Sequence, residues 1–358
     1  MRTLSTFALA GSILVAFWTP AFAQFDAPEV TSPDANALFE QGLQYARDGD
    51  YSAAIVEFEK ALLITSTFPA AQYNLAFAYE HKGDFAEAEE AYNAVLKMKP
   101  THAKALYGLG AMMYRLKRFS DATTYLNRAV EADPGNKEAF FALGTAQHKS
   151  GNLAPARTAF QKAIGIDSTY VDAIYELGDV EYEIAGRTGN YEGAISAFER
   201  IASEHPRYSK CYLAYYQLGK ICIDRKDHKS AAEMFGKSAE KKPDLAEAHF
   251  MQGKALAKIK TYDKAIKALR QATALKDPYG VAHYELARIY QKRQSYERAL
   301  TEYRAAATDP DFKKRSQANK AARQIQDYLD KLAAQETAQE EEEEYDDVDD
   351  IPSSDFQP

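Results

Sequence analysis

Apolar and small residues in this chain follow two nested rhythms. The short one is helical. Over residues 69–100 (PAAQYNLAFAYEHKGDFAEAEEAYNAVLKMKP) they fall at Tyr73, Ala76, Phe77 and Tyr79, and after a break at Gly83 and Asp84 again at Phe85, Ala88, Tyr92, Val95 and Leu96. That spacing predicts two amphipathic helices joined by a short turn, with Pro100 closing the second. The long rhythm is 34 residues. A ring stands at Phe39, Tyr73, Tyr107, Phe141 and Tyr175, and after one step of 41 the series resumes at Tyr216, Phe250 and Tyr284. A small residue keeps the same interval at Gly42, Ala76, Gly110, Gly144, Gly178, Gly219, Gly253 and Ala287. An alanine keeps it at Ala54, Ala88, Ala122, Ala156, Ala194, Ala231, Ala265 and Ala299.

A fixed period of this length is the mark of a stacked repeat array. A lone helix pair cannot bury its own apolar face, so neighbouring pairs must stack. On this reading the small residues stand where the helices of a pair approach closely, and the rings fill holes in the next pair.

The Leu-Gly pairs at 109–110, 143–144, 177–178 and 218–219 make the chain resemble the tetratricopeptide repeat family. So do the alanine series, the second-helix rings Phe58, Tyr92, Phe160, Phe198, Phe235 and Tyr303, and the closing Pro100, Pro134, Pro206 and Pro243. The resemblance covers eight repeats over residues 35–312. It implies an all-α, right-handed superhelical solenoid of antiparallel helix pairs, with the first helix of each pair on the concave side. Two departures are local: four residues inserted around positions 186–190 and three more before the sixth repeat. Both are expected in turns, where insertions are tolerated.

The flanks read differently. Residues 1–23 combine a basic start (Arg2), an apolar stretch from Phe7 to Trp18 and a small-x-small site at Ala21, Phe22 and Ala23, the pattern of a cleaved secretory signal. No cysteine follows it for lipid attachment, so the expected location is periplasmic or secreted, with no stable membrane anchor. Residues 24–34 read as a flexible leader. Residues 313–334 form one more amphipathic helix, apolar at Ala318, Ala322, Ile325 and Leu329 and basic outside, as a terminal cap requires. Residues 335–358 carry eleven carboxylates and no Lys or Arg, and are expected to be a disordered acidic tail. The charge therefore divides: the chain is −8, the tail −11, and the remainder +3. Cys211 and Cys222 are 11 residues apart in one expected helix, about 16 Å along its axis at 1.5 Å per residue, too far for a disulfide.

Candidate chemistry is sparse. The seven histidines make no pair at metal-ligand spacing, the glycines fall singly on the 34-residue interval, and there is no G-x-S-x-G turn. No enzyme, metal or cofactor is expected, and neither is nucleic-acid binding. What remains is a surface. On the first helices of repeats six to eight each ring is followed four residues on by a cation: Tyr216 with Lys220, Phe250 with Lys254, Tyr284 with Arg288. Lys258 and Lys292 follow eight residues after the last two rings. Repeat five contributes Tyr175 and Tyr182 in an acidic setting. These ten residues are the candidate protein- or peptide-binding groove. The rings have a second reading that does not exclude the first, as the family's ordinary packing residues. A version of the family that grips a partner's C-terminal carboxylate is matched here only at Asn74 and Lys104, so its specificity does not carry over.

The expected function is a non-enzymatic scaffold of the bacterial envelope that binds a protein or peptide, with acidic segments favoured. A chaperone-like holder, or an accessory subunit of an envelope enzyme or secretion complex, is the alternative. Self-binding of the acidic tail in the basic groove is a further expectation, from a coil reach of about 27 Å for 24 residues.

Overall fold

The computed structural model describes residues 32–348, so the signal and most of the leader expected from the sequence lie outside the described residues. Within them lie seventeen helices and no strand. In chain order they are α1 (Pro33–Arg47), α2 (Tyr51–Ile64), α3 (Pro69–Lys82), α4 (Phe85–Met98), α5 (Ala103–Arg115), α6 (Phe119–Ala132), α7 (Lys137–Lys149), α8 (Leu153–Ile166) and α9 (Val171–Thr188). After them come α10 (Glu192–Glu204), α11 (Cys211–Asp224), α12 (His228–Lys241), α13 (Ala246–Lys258), α14 (Tyr262–Leu275), α15 (Gly280–Lys292), α16 (Tyr296–Thr308) and α17 (Arg315–Val348). The chain divides into two compact units, Met1–Ala197 and Phe198–Pro358, with the division inside α10.

Within each unit, packing follows the long rhythm. In the first, α1 packs on α2, α3 on α4, α5 on α6 and α7 on α8; in the second, α11 on α12, α13 on α14 and α15 on α16, with α17 covering α16. The small-residue series is the imprint of the second helix of each pair. A Cβ at Gly144 would lie 2.8 Å from the Phe160 ring, and one at Gly219 2.7 Å from Phe235, in both cases sixteen residues on. Phe160 and Phe235 are fully buried, each contributing about 2–3 kcal/mol of apolar burial. The stop signals also hold: α4, α6, α10 and α12 each end two residues before Pro100, Pro134, Pro206 and Pro243.

A further 34-residue series lies in the turns. After the first helix of a pair, one residue adopts a left-handed conformation: Gly49, Gly83, Lys117 and Gly151 in the first unit, Lys226, Lys260 and Gln294 in the second. The amide of the following residue then returns to a carbonyl five residues back, as Asp84 N does to Tyr79 O at 2.9 Å and Thr261 N to Leu256 O at 3.0 Å. These bonds satisfy carbonyls left open at the helix end.

Three expectations need attention. The insertion near residues 186–190 does not sit in the turn. It lengthens α9 to 18 residues, one turn more than α7, and the helix ends at Gly189, which is left-handed. Nothing in the added Ile184, Ala185, Gly186 and Arg187 opposes helix strongly enough to stop it. The acidic tail is likewise not disordered throughout: α17 continues past Ala334 to Val348. Ala, Gln and Glu are strong helix formers, and a helix already nucleated on the repeats extends through them at little cost. Residues 349–358 lie outside the described residues. Cys211 and Cys222 share α11 and are free thiols, their pKa values raised chiefly by burial.

Candidate functional site

Successive first helices touch one another within each unit: α1 and α3, α3 and α5, α5 and α7, α7 and α9, then α13 and α15. Second helices make no comparable approach to each other among the described residues. The side carrying the first helices is therefore the tighter, inner face of each stack, and it presents the predicted ring series.

The rings are first of all packing residues. Phe39, Tyr73, Phe141, Tyr216, Phe250 and Tyr284 each meet a ring on their own second helix, on the approach to the next pair, or both. Phe39 meets Phe58 and Phe68, Phe141 meets Phe160 and Tyr170, and Tyr284 meets Tyr303 and Phe312, at centroid distances of 5.0–5.9 Å. Tyr216 packs edge-on against Phe235 at 5.3 Å, and Phe250 lies at a tilt to Tyr279 at 5.5 Å. Burial differs between the units. Phe39, Tyr73, Phe141 and Tyr175 are buried, whereas Tyr107, Tyr216, Phe250 and Tyr284 are half-buried. Burial, helped by the charge of Glu247, pushes the Tyr216 hydroxyl up to about 12.

On the inner face of the first unit, charges bind one helix to the next. Arg115 Nη1 on α5 donates to Glu80 Oε1 on α3 at 2.8 Å, the Tyr92 hydroxyl donates to Glu80 Oε2 at 2.9 Å, and the Arg115 guanidinium lies 5.2 Å from the Phe85 ring centre. Burial raises the Glu80 pKa, against the opposing effects of Tyr92 and Arg115. On α7, His148 Nε2 lies 2.9 Å from Glu183 Oε1 and Nδ1 lies 3.7 Å from Glu176 Oε2, both carboxylates being on α9. Burial opposes a charged His148 ring, but the two carboxylates outweigh it and raise its pKa. Tyr182 on α9 lies at a tilt to Tyr191, ring centres 6.0 Å apart. Neither pair was among the candidate residues read from the sequence. A signal was present: Glu80 to Arg115 and His148 to Glu183 are both separations of 35, one repeat and one residue.

Lys258 and Lys292 in the second unit have no such partner among the described residues. The residues 35 before Lys258 and Lys292 are Ile223 and Ala257, neither of which can accept a bond from an ammonium. Lys258 and Lys292 are exposed, and no carboxylate among the described residues pairs with either. Lys254 Nζ instead lies 5.8 Å from the centre of the Phe250 ring, and Lys314, just before α17, lies 5.7 Å from that of Tyr284. Arg288 bonds Glu285 on its own helix, at 3.1 Å, and Lys220 Nζ donates to Gln217 at 2.7 Å. Of the ten predicted groove residues, eight therefore share the inner face of the second unit, and Tyr175 and Tyr182 belong to α9 of the first. Among the described residues no group of three or more His, Cys, Asp or Glu could hold a metal, and no helix is long and apolar enough to cross a membrane.

Comparison with known proteins agrees with this architecture. The family model for the tetratricopeptide repeat matches residues 73–137, 114–171, 175–246, 229–280 and 250–312, and a second repeat model matches residues 42–83. No curated protein matches the chain. Among solved structures, the C-terminal part of a repeat-containing protein from Cytophaga hutchinsonii is 20% identical, with a TM-score of 0.58, over 69% of this chain and 98% of its own. A repeat protein from Parabacteroides merdae is 18% identical, with a TM-score of 0.50, over 73% of this chain and 100% of its own. At these identities the likeness is one of fold.

Proposed function

Because the chain belongs to the tetratricopeptide repeat family, whose fold serves as a scaffold for protein–protein interaction, we propose that it binds a protein or peptide partner on the inner face of its second unit. We read it as eight such repeats, exported to the bacterial envelope by the signal at residues 1–23, and non-enzymatic. One observation carries the choice of face: Lys254 stands over the half-buried Phe250 ring, and Lys258 and Lys292 are exposed with no carboxylate across the helix boundary, where the first unit has Glu80 on Arg115. A cation held at a ring attracts a carboxylate while the open part of the ring takes the adjoining apolar group, so acidic segments with interspersed apolar residues fit best. Weak contacts repeated along several helices supply the affinity.

The test uses the cations, because the rings support the fold and their truncation would open cavities. The mature chain and its K254E/K258E/R288E/K292E variant are crosslinked to envelope extract, and captured proteins are identified by mass spectrometry. The expected result is a partner held by the first and lost by the second, with equal helicity and melting. Equal capture by both would place the contact elsewhere. Detection of residues 1–23 on the protein isolated from cells would overturn the export reading.

A further inference from the structure

The inner face of the second unit repeats a short pattern at a fixed step, and that step selects the form of a ligand. On α13, Phe250, Lys254 and Lys258 set a half-buried ring and two exposed cations on one face, about 6 Å apart along the axis. On α15, 34 residues later, Tyr284, Arg288 and Lys292 repeat the pattern. The chain turns back from α13 into α14 and again from α14 into α15, so α13 and α15 run in the same direction, and they touch. Helices in contact lie about 8–10 Å apart. The cations therefore stand in two rows, Lys254 with Arg288 and Lys258 with Lys292, with a step of about 8–10 Å along each row and the two rings in a third row beside them.

The outer row is the one a ligand can take whole. Lys254 Nζ already lies 5.8 Å from the Phe250 ring centre and Arg288 pairs with Glu285 on its own helix, whereas Lys258 and Lys292 are exposed and no carboxylate among the described residues pairs with either. The row ends at α11, where the same position is Asp224. A ligand spanning Lys258 and Lys292 needs two acidic side chains on one edge at that step. A β-strand presents one edge every second residue, at about 6.7 Å and then about 13 Å. An α-helix does so at about 5–6 Å and then about 10.5 Å, and brings a body about 10–12 Å across. Polyproline II presents one edge every third residue, at about 9.3 Å, which falls within the range.

We propose that the partner enters the second unit as a polyproline II segment with acidic residues three apart, one on Lys258 and the next on Lys292. Proline or another apolar residue between them then faces the row of Phe250 and Tyr284, as extended proline-rich segments do in aromatic-lined grooves. The proposal rests on the reading of this face as a site for acidic partners and adds the spacing and backbone form of the ligand. Exposed ion pairs are individually weak and screened by salt, so the spacing that makes two at once is the one that binds.

The probes are three fluorescein-labelled peptides of about twelve residues, proline throughout except for three glutamates set two, three or four apart. A fourth is an alanine-based helical peptide with three glutamates seven apart. Anisotropy with the full chain at about 50 mM salt reads their dissociation constants. We expect the three-apart peptide to bind about threefold or more tighter than the other proline peptides, and K258E/K292E, with unchanged melting, to remove that preference. Equal binding of the three proline peptides, or tightest binding of the helical one, overturns the proposed spacing; if K258E/K292E weakens that binding, the face keeps its acidic partners. No binding by any peptide, or binding that K258E/K292E leaves unchanged, overturns both the spacing and the site.

Discussion

The two units apply one repeat pattern to different ends. At the same register position the first unit buries Phe39, Tyr73, Phe141 and Tyr175 and leaves Tyr107 half-buried, while the second leaves all three of its rings, Tyr216, Phe250 and Tyr284, half open. Around those rings the first unit closes its inner face with contacts between successive first helices, Glu80 to Arg115 and His148 to Glu183. In the second, Ile223 and Ala257 occupy the acceptor positions, and Lys258 and Lys292 remain exposed. Family membership fixes the scaffold, and which stretch of it can bind is decided by a few residues on one helical stripe.

Ring truncation gives the largest contrast. Phe141→Ala in the first unit should cost about 3–5 kcal/mol, the loss expected for a fully buried ring, and Phe250→Ala about half of that. Denaturant unfolding with hydrogen exchange, which assigns the loss to its own unit, checks the difference. Equal losses would mean that Phe250 is as deeply committed to packing as Phe141, and the second face would then have no open ring to offer.

The charges come next. Arg115→Ala leaves the Glu80 carboxylate buried without its cation and should cost about 2 kcal/mol, whereas Arg288→Ala removes only an exposed pair within one helix and should leave melting unchanged. The reverse change sharpens the contrast. Ala257→Glu places an acceptor one repeat and one residue before Lys292, copying the Glu80 arrangement, and should weaken binding of an acidic partner about tenfold, or about 1.4 kcal/mol. Undiminished binding by that variant, measured by calorimetry, would remove Lys292 from the site.

Much of this was legible in the sequence, because the repeat writes tertiary contacts into fixed intervals. Gly144 is small because Phe160 lies on it, and the pattern shows both at constant spacing. The cation series of the second unit could be read for the same reason. Contacts between repeats were harder: Glu80 and Arg115 belong to different cycles, and their spacing of 35 becomes a signal only once first helices are known to touch. The turn at residues 186–190 and the tail were misjudged for one physical reason. The insertion was assigned to a turn because turns tolerate extra residues, and the tail to a coil from its composition. A helix already anchored by packing instead extends through residues that do not oppose it, α9 as far as the left-handed Gly189.

A smaller effect separates the faces by pH. The pKa of His148 is raised in the folded chain by Glu176 and Glu183 on α9, against its burial; from α5, Tyr114 faces the same Glu176, and its own pKa is raised by burial and by that charge. A raised folded pKa contributes stability that is complete below the unfolded value, about 6.5, and is lost as pH rises through the folded value. The first unit should therefore melt lower at about pH 8 than at about pH 6, and His148→Gln, which keeps a donor for Glu183 but does not titrate, should flatten that slope.

The turns supply the finest distinction, and it runs in the stabilising direction. Gly49, Gly83 and Gly151 take the left-handed position in three turns of the first unit, and a Cβ at any of them would meet nothing within 4 Å, so their role is conformational. Lys226, Lys260 and Gln294 hold the same position in the second unit at φ of 59–62°. A side chain there costs about 1–2 kcal/mol relative to glycine, offset by about 0.4–1 kcal/mol because glycine frees the unfolded chain. Lys260→Gly should then stabilise the second unit by about 0.5–1 kcal/mol, while Gly151→Ala should destabilise the first by a similar amount. Lys117, the one left-handed lysine of the first unit, is the internal control: Lys117→Gly should match Lys260→Gly. If glycine helps at 117 but not at 260, the Lys260 side chain makes a stabilising contact of its own, and the second unit's turns are not the strained ones.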